Sequence, residues 1–187
     1  MGRPAQIGRA AILDAALELA DQEGLDGVTM HAVARRLNVT TMALYRHVDS
    51  KDALLDGLVE LLLTALQIRQ TSRPWEQVLT AMASGIREVA RQHPAVFPLL
   101  LTRPAVTPAA LQVRGSIVAG LLDAGLTETA AKRAERLLST AVLGFATSEA
   151  AGRFRQHDQA VLDQDFAELL RWLHLALTSP RTADENG

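Results

Sequence analysis

The sequence predicts an all-α protein. Ala and Leu, which favour helices, supply 31 and 30 of the 187 residues. Aromatic residues make up only 4% of the chain, and a shortage of aromatic side chains disfavours a sheet-rich fold. Apolar residues also recur at helical spacing through most of the chain. With 48% apolar residues, a chain of this length suits one large or two small domains with a buried core.

The composition excludes several classes of protein. The chain has no cysteine, so disulfides, thiolate metal sites and a cysteine nucleophile are excluded. No uncharged apolar run approaches the ~18 residues that a bilayer span needs. The start of the chain, MGRPAQIGRAA, has no hydrophobic signal region, so we expect a cytoplasmic protein without a membrane partner. The net charge of −2 disfavours nucleic-acid binding unless the basic residues cluster on one face.

The N-terminal part of the chain predicts one longer helix and two short ones. The longer helix spans about 9–23 and is followed by Gly24, since glycine commonly ends helices. The second helix spans about 29–37. Asn38 follows it and tolerates the positive φ of a tight turn. The third helix covers about 40–47.

The rest of the chain predicts longer helices. They cover about 50–66, 75–92, 95–102, 108–124, 127–151 and 160–178, with a linker at 67–74. We therefore divide the chain into an N-terminal domain of residues 1–51, a larger helical domain of residues 52–178, and a polar tail of residues 179–187.

The two short helices point to a helix-turn-helix. Helices this short are unstable alone and need tertiary support, and a helix-turn-helix places its second helix in the DNA major groove. The charges agree with this interpretation, because residues 29–51 hold four basic residues against only Asp49, a local net charge of +3. These basic residues are Arg35, Arg36, Arg46 and Lys51. The basic face is hidden by an acidic excess elsewhere in the chain.

The segment 27–60, GVTMHAVARRLNVTTMALYRHVDSKDALLDGLVE, resembles the DNA-binding segment of the tetracycline-repressor (TetR) family of transcriptional regulators. The matching positions are Thr29, Ala34, Leu37, Val39, Leu44, Tyr45, His47 and 51–54. The runs WEQVLTAMASGIREVARQHP, LLTRP and LLDAGL are more weakly similar to the ligand domain of tetracycline-repressor-like members. The resemblance implies a homodimer with an N-terminal helix-turn-helix and a C-terminal domain for ligand binding and dimerisation.

The resemblance also implies which residues contact DNA. The candidate residues are Thr29, His31, Thr40, Thr41, Met42, Ala43, Tyr45, Arg46, His47 and Lys51. Side chains at the start of the second short helix reach base edges, and Tyr45 and His47 can donate to phosphates. The tetracycline repressor has a proline where Met42 stands and an aromatic residue where Arg46 stands. The operator sequence therefore cannot be transferred from it.

Two apolar stripes near the C-terminus predict the dimer interface. Across a two-fold axis, the helices at 127–151 and 160–178 would form a four-helix interface. The alternative is that both stripes face the core of their own subunit, and the resemblance favours the dimer. The predicted interface residues are Leu137, Leu138, Ala141, Phe145, Phe166, Leu169, Leu170 and Leu173.

The resemblance further implies a pocket for a small-molecule effector between the helices of the larger domain. The candidate lining residues are Gln67, Met82, Ile86, Thr102, Arg103, Ile117 and Glu149. The tetracycline repressor uses histidines to engage drug-bound magnesium, whereas the matching positions here hold Gln67 and Leu99. We therefore expect no metal-tetracycline binding, no metal and no cofactor, and a mostly apolar pocket.

The sequence therefore predicts a DNA-binding regulator, in particular a repressor of a palindromic operator released by ligand. In this hypothesis, ligand binding shifts the helix at about 51–68 and changes the distance between the two recognition helices. One alternative is a helical small-molecule-binding or interaction module without specific DNA binding. A helical-bundle enzyme is a weaker alternative, because the histidines are scattered and the chain has neither an HExxH motif nor a phosphate-binding glycine loop.

Overall fold

The computed structural model describes residues 7–66, 74–103 and 107–178, which form nine α-helices and no strand. The helices are α1 (Arg9–Glu23), α2 (Met30–Arg36), α3 (Thr41–Tyr45), α4 (Lys51–Ala65), α5 (Trp75–Gln92), α6 (Leu99–Thr102), α7 (Pro108–Asp123), α8 (Glu128–Ala150) and α9 (Gln159–Thr178). A short 3-10 turn at Leu25–Gly27 follows α1. The predicted all-α fold is confirmed.

The N-terminal helices pack on one another, and their buried residues are continuous with the core of the later helices. Ile12 of α1, Val33 of α2 and Leu44 of α3 are completely buried there. The first helix crosses α4 closely at Gly57, where an added Cβ would clash with the Leu13 side chain. A larger residue at this position would therefore force Leu13 to move.

The larger domain is built from α5, α7 and α8, which pack on one another, with α9 against α8 and α5. Both α7 and α8 begin at a threonine that caps the helix. Thr107 Oγ1 accepts from the Ala110 amide at 3.3 Å, and Thr127 Oγ1 accepts from the Ala130 amide at 3.4 Å. Capping satisfies an amide that has no partner within its own helix.

The observed helices differ from the predicted ones at a few ends. The short helix predicted at 95–102 begins only at Leu99, and turns occupy the residues before it. Pro98 has no amide hydrogen and restricts the residue before it, so a helix cannot continue regularly through this position. The predicted linker lies outside the described residues except for Pro74, and the predicted tail lies entirely outside them. Among the described helices, none has the length and apolar character needed to cross a membrane.

Candidate nucleic-acid interface and ligand cavities

The turn between α2 and α3 is fixed by backbone conformation and hydrogen bonds. Asn38 has a φ of 55°, in the left-handed region that asparagine tolerates better than most residues. The Val39 amide donates to the Ala34 carbonyl at 2.9 Å, which closes the end of α2. The Thr40 hydroxyl then accepts from the Ala43 amide at 3.3 Å and starts α3. These interactions set the direction of α3 relative to α2.

One face of α3 is exposed and the other holds the helix in place. Leu44 is completely buried, whereas Met42 and Tyr45 are 74% and 43% exposed. Thr41 and Ala43 are half-buried, and the side chains that follow α3, Arg46 and His47, are exposed. Large apolar and aromatic side chains that protrude from a short, firmly anchored helix are suited to contacts with another molecule.

Basic side chains surround this face. Arg35 at the end of α2, Arg46 after α3 and Lys51 at the start of α4 are all exposed, and within the described residues they form no ion pair. Arg36 differs, because its guanidinium donates to Glu18 of α1 at 2.8 Å. The charge of Arg36 is therefore already compensated, and the predicted basic cluster is smaller than the sequence indicated.

The structure also shows that Thr29 and His31, two other predicted DNA contacts, lie at the start of α2. Thr29 is exposed, and its hydroxyl accepts from the Ala32 amide at 3.0 Å, so it caps α2. His31 is exposed in the first turn of the same helix. The assignment of these residues to DNA binding stays a prediction.

The fourth helix connects this surface to the larger domain. It begins at Lys51, and its other end contributes Val59, Leu63 and Leu66 to the wall of a cavity. Its 15 residues correspond to about 22 Å of helix. A displacement of one end of α4 therefore reaches the other end through a continuous helix.

A second connection runs through Arg103, which follows α6. Its guanidinium donates to Asp52 Oδ1 at 2.7 Å, to the Asp52 carbonyl at 3.2 Å, and to Asp56 Oδ1. Asp52 is the neighbour of Lys51 in the first turn of α4. Arg103 also lines the cavity, so the cavity wall and the beginning of α4 share this side chain.

The larger cavity has a volume of about 370 Å³ and lies between α4, α5, α7 and α8. Most of its wall is apolar, and its polar groups include Arg103, Arg114, Glu135 and Ser139. The volume is typical of a small-molecule site.

A smaller cavity of about 60 Å³ lies on the other side of Ile86 and Ile117, between α5, α8 and α9. Trp75 and His174 stack at its edge with ring centroids 5.3 Å apart and planes inclined by 6°. Ile86 and Ile117 therefore line two cavities instead of one.

The predicted pocket residues are only partly brought together. Ile86 and Ile117 line both cavities, Arg103 the larger one and Met82 the smaller one. Thr102 lines neither cavity, and it is exposed with its hydroxyl donating to the Pro98 carbonyl at 3.4 Å. Gln67 lies outside the described residues.

Glu149 lines neither of these two cavities, and its assignment to the ligand pocket stays a prediction. Its buried carboxylate accepts from Arg87 at 2.6 and 2.8 Å and from Arg91 at 2.8 Å. Burial alone would raise the pKa of Glu149, but the hydrogen bonds from Arg87 and Arg91 hold the pKa below its usual value. Glu149 therefore joins α8 to α5 as part of an ion-pair network that also includes Asp163 of α9.

The predicted dimer-interface residues differ in how far they are exposed in the single chain. Phe166 is buried within its own chain, with its ring centroid 5.4 Å from that of Phe145 and 4.7 Å from the Arg87 guanidinium carbon. Its assignment to the dimer interface is corrected, because this side chain belongs to the subunit's own core. Leu138, Leu170 and Leu173 line the smaller cavity, and Ala141 and Leu169 are half-buried. Leu137, in contrast, is 66% exposed.

Several functional candidates were missed at the sequence level. Trp172 and Leu175 of α9 are 60% and 50% exposed, although both are apolar. They lie on a different side of α9 from the apolar stripe that packs on its own chain. Apolar residues outside that stripe could have been recognised in the sequence as candidates for an exposed interface. Glu135 likewise interrupts the buried stripe of α8 with a charged residue. Among the described residues, no cluster of three or more His, Cys, Asp or Glu could hold a metal ion.

The fold and these surfaces define a helix-turn-helix protein with a larger helical domain that contains cavities. Residues 12–58 match the sequence profile described as "Bacterial regulatory proteins, tetR family". Residues 79–173 match the profile described as "Tetracyclin repressor-like, C-terminal domain". The chain therefore belongs to the TetR family, as its sequence predicted.

Relatives and solved structures agree with this assignment. Tetracycline repressor protein class C of Escherichia coli is 33% identical over 168 residues, which cover 82% of this chain and 73% of that protein. The HTH-type transcriptional repressor DrrR1 of Streptomyces coeruleorubidus is 30% identical over 162 residues, which cover 83% of this chain. The match spans only 58% of the length of DrrR1.

The same fold occurs in experimental structures. A TetR variant from Acinetobacter baumannii AYE in complex with minocycline superposes with a TM-score of 0.81 and 25% identity, covering 95% of this chain and 99% of that chain. BioQ with its double-stranded DNA operator gives a TM-score of 0.79 at 22% identity, covering 94% and 100% of the two chains. The likeness to BioQ shows a shared fold.

Proposed function

We propose that this protein is a transcriptional repressor that binds a palindromic DNA operator as a homodimer and releases it when a small molecule binds. The observation that supports DNA binding best is the exposed face of α3, bordered by basic side chains without ion-pair partners among the described residues. The structure of BioQ, which has the same fold, contains its double-stranded DNA operator, and this also supports the proposed function.

The chemistry of α3 suits the major groove. Thr41 can hydrogen-bond a base edge, and the exposed Met42 can contact a thymine methyl group. Tyr45 and His47 can donate to phosphates on either side, and Lys51 adds positive charge at the amino end of α4. In this proposal the base contacts set the sequence preference and the phosphate contacts set the register.

A single α3 contacts only a few base pairs, so we infer that two copies act together on a two-fold site. The exposed apolar residues Leu137, Trp172 and Leu175 lie on α8 and α9, the helices that the family resemblance assigns to the dimer interface. Apolar side chains exposed to this extent favour association with a second copy of the chain.

Ligand release would act through α4. A guest in the larger cavity contacts the far end of α4 directly and the near end through Arg103. A shift of α4 changes the distance between the two α3 helices, which must match successive major grooves about 34–36 Å apart. A differential affinity for the two conformations of a few kcal/mol is enough to release DNA.

Selection of bound sequences from a random pool of DNA duplexes tests this function. We expect a two-fold symmetric consensus that the dimer binds at salt concentrations at which random duplexes no longer bind. Sedimentation of the protein with the selected duplex should give two chains per duplex. A monomer without sequence preference would contradict the proposal and would favour a ligand-binding or interaction module.

A further inference from the structure

We propose that the larger cavity binds an organic cation, an apolar amine whose ammonium group pairs with the carboxylate of Glu135. This inference depends on the proposed role of the cavity as the effector site, and it adds the chemical class of the effector. The proposal rests on a comparison of two buried carboxylates, those of Glu135 and Glu149, whose hydrogen bonds differ in length.

Glu135 is a charged side chain in the wall of an apolar cavity. It is only 3% exposed. Its oxygens accept from Arg114 Nε at 3.3 Å, from Arg114 Nη2 at 3.4 Å and from Ser139 Oγ at 3.2 Å. The two Arg114 contacts are longer than the roughly 2.7–2.9 Å typical of a charged N–H donor, and the Ser139 contact is longer than the roughly 2.5–2.7 Å typical of a hydroxyl on a carboxylate. The carboxylate is therefore only loosely compensated.

Glu149, the other buried glutamate, provides the comparison. It lies on the same helix, but Arg87 and Arg91 bind it at 2.6 to 2.8 Å. Burial of a charge is costly unless hydrogen bonds and an opposite charge compensate for it. The structure achieves this compensation at Glu149, away from the two cavities, and leaves it incomplete at Glu135, which faces one of them.

The partner of Glu135 can be displaced. The Arg114 side chain is 44% exposed, so it reaches the carboxylate from the rim of the cavity and can turn into solvent. A ligand ammonium in the cavity could then donate to Glu135 at shorter distances without leaving Arg114 buried and unpaired. The guest would thus replace a loose ion pair with a tighter one.

The remaining wall is apolar, and its positive charges are compensated or exposed to solvent. Val59, Leu63, Val113 and Ile117 offer apolar surface for the body of the guest. The charge of Arg103 is compensated by Asp52 and Asp56, and Arg136 is exposed to solvent. The charge with the least access to water, and therefore the strongest influence on a guest, is the negative charge of Glu135.

Three probes that share one apolar body test the proposal. We suggest 1-naphthylmethylamine, 1-naphthalenemethanol and 1-naphthoate, each titrated calorimetrically into the full chain at pH 7 without DNA. We expect the amine to bind at least about tenfold more tightly than the alcohol, because a charge-assisted hydrogen bond replaces a neutral one. The carboxylate should bind most weakly.

Two variants assign the preference to the residues. Glu135→Gln should remove the advantage of the amine over the alcohol, whereas Arg114→Gln should tighten amine binding by removing its competitor. Glu128→Gln, on the same helix but exposed to solvent, is the matched control and should change neither affinity. If Glu135→Gln fails to fold, the opposite direction expected for Arg114→Gln still decides the question.

The proposal is overturned if the naphthoate binds more tightly than the amine, if Glu135→Gln leaves the amine preference intact, or if none of the probes binds up to its solubility limit. Operator binding is measured separately on the protein without probes. Loss of the proposed DNA function would leave a positive amine result standing, and failure of the amine would leave operator binding untouched.

Discussion

Arg103 and Asp52 join the cavity to the amino end of α4, with 2.7 Å between Arg103 Nη2 and Asp52 Oδ1. Arg103 lines the larger cavity, and Asp52 follows Lys51 in the first turn of α4. The same guanidinium also donates to Asp56, one turn further along the helix. One side chain therefore connects the proposed ligand site to the helix that follows α3 in the chain.

The substitution Arg103→Gln should weaken operator binding about three- to tenfold, or roughly 0.7–1.4 kcal/mol. Loss of the contacts with Asp52 and Asp56 leaves the position of α4 less well defined, so ordering it on DNA costs more free energy. The thermal stability should change little, because both aspartates are largely exposed and such ion pairs contribute about 0–1 kcal/mol. Fluorescence anisotropy with the selected operator measures the affinity.

The matched control for this variant is Arg136→Gln. Arg136 lines the same cavity, and the substitution removes the same charge, but among the described residues Arg136 forms no ion pair with α4. Equal losses of affinity in the two variants would indicate a general effect of charge and would contradict the coupling role of Arg103.

Tyr45 and Leu44 are neighbours on α3, but Tyr45 is exposed and Leu44 is buried. Their alanine variants should therefore affect different properties, operator binding for Tyr45 and folding stability for Leu44. Tyr45→Ala should weaken operator binding about tenfold or more with little change in thermal stability, because Tyr45 protrudes from the helix. Leu44→Ala should cost about 2–5 kcal/mol of the free energy of unfolding, because Leu44 is completely buried. Unfolding of the Tyr45→Ala variant would show that Tyr45 supports the core instead.

The sequence was sufficient to predict most of the helices, because their ends coincide with local signals. Thr29, Thr40 and Thr107 each cap a helix with the hydroxyl–amide hydrogen bond that such positions favour, and Asn38 adopts the expected left-handed turn. Interactions of this kind involve residues a few positions apart. Local patterns in the sequence are therefore enough to identify them.

The cavities and the interface depend on contacts between distant residues, and here prediction was less accurate. An apolar stripe shows that a helix has a buried face, but it does not show what covers that face. Phe166 was therefore assigned to a partner subunit, although it packs against Phe145 and Arg87 of its own chain. Glu149 was assigned to the pocket by the family resemblance, and its ion pair with Arg87, 62 positions earlier in the sequence, could not be read from a local pattern.

The exposed residues on α8 and α9 provide a test of dimerisation. Trp172→Asp should shift the protein toward a monomer in sedimentation experiments while the helical content and the core remain intact, because Trp172 is mostly exposed in the single chain. Phe166→Asp should instead destabilise each subunit by placing a charge in its core. A Trp172→Asp variant that is still fully dimeric at low micromolar concentration would place the interface elsewhere.

The ion-pair network around Glu149 should make folding stability dependent on acidic pH. Hydrogen bonds from Arg87 and Arg91 hold the folded-state pKa of Glu149 below its usual value of 4.5, so its contribution is present above about pH 4.5 and is lost as the pH falls through the folded-state value. Glu149→Gln should cost about 1.5–3 kcal/mol at pH 7, because it replaces charge-assisted hydrogen bonds to Arg87 and Arg91 and leaves Asp163 as their ion-pair partner. Urea unfolding at a fixed protein concentration should show that the gap between wild type and variant narrows toward pH 3. The exposed control Glu128→Gln should have little effect at either pH, and a gap of constant size would contradict the role of the ionised carboxylate.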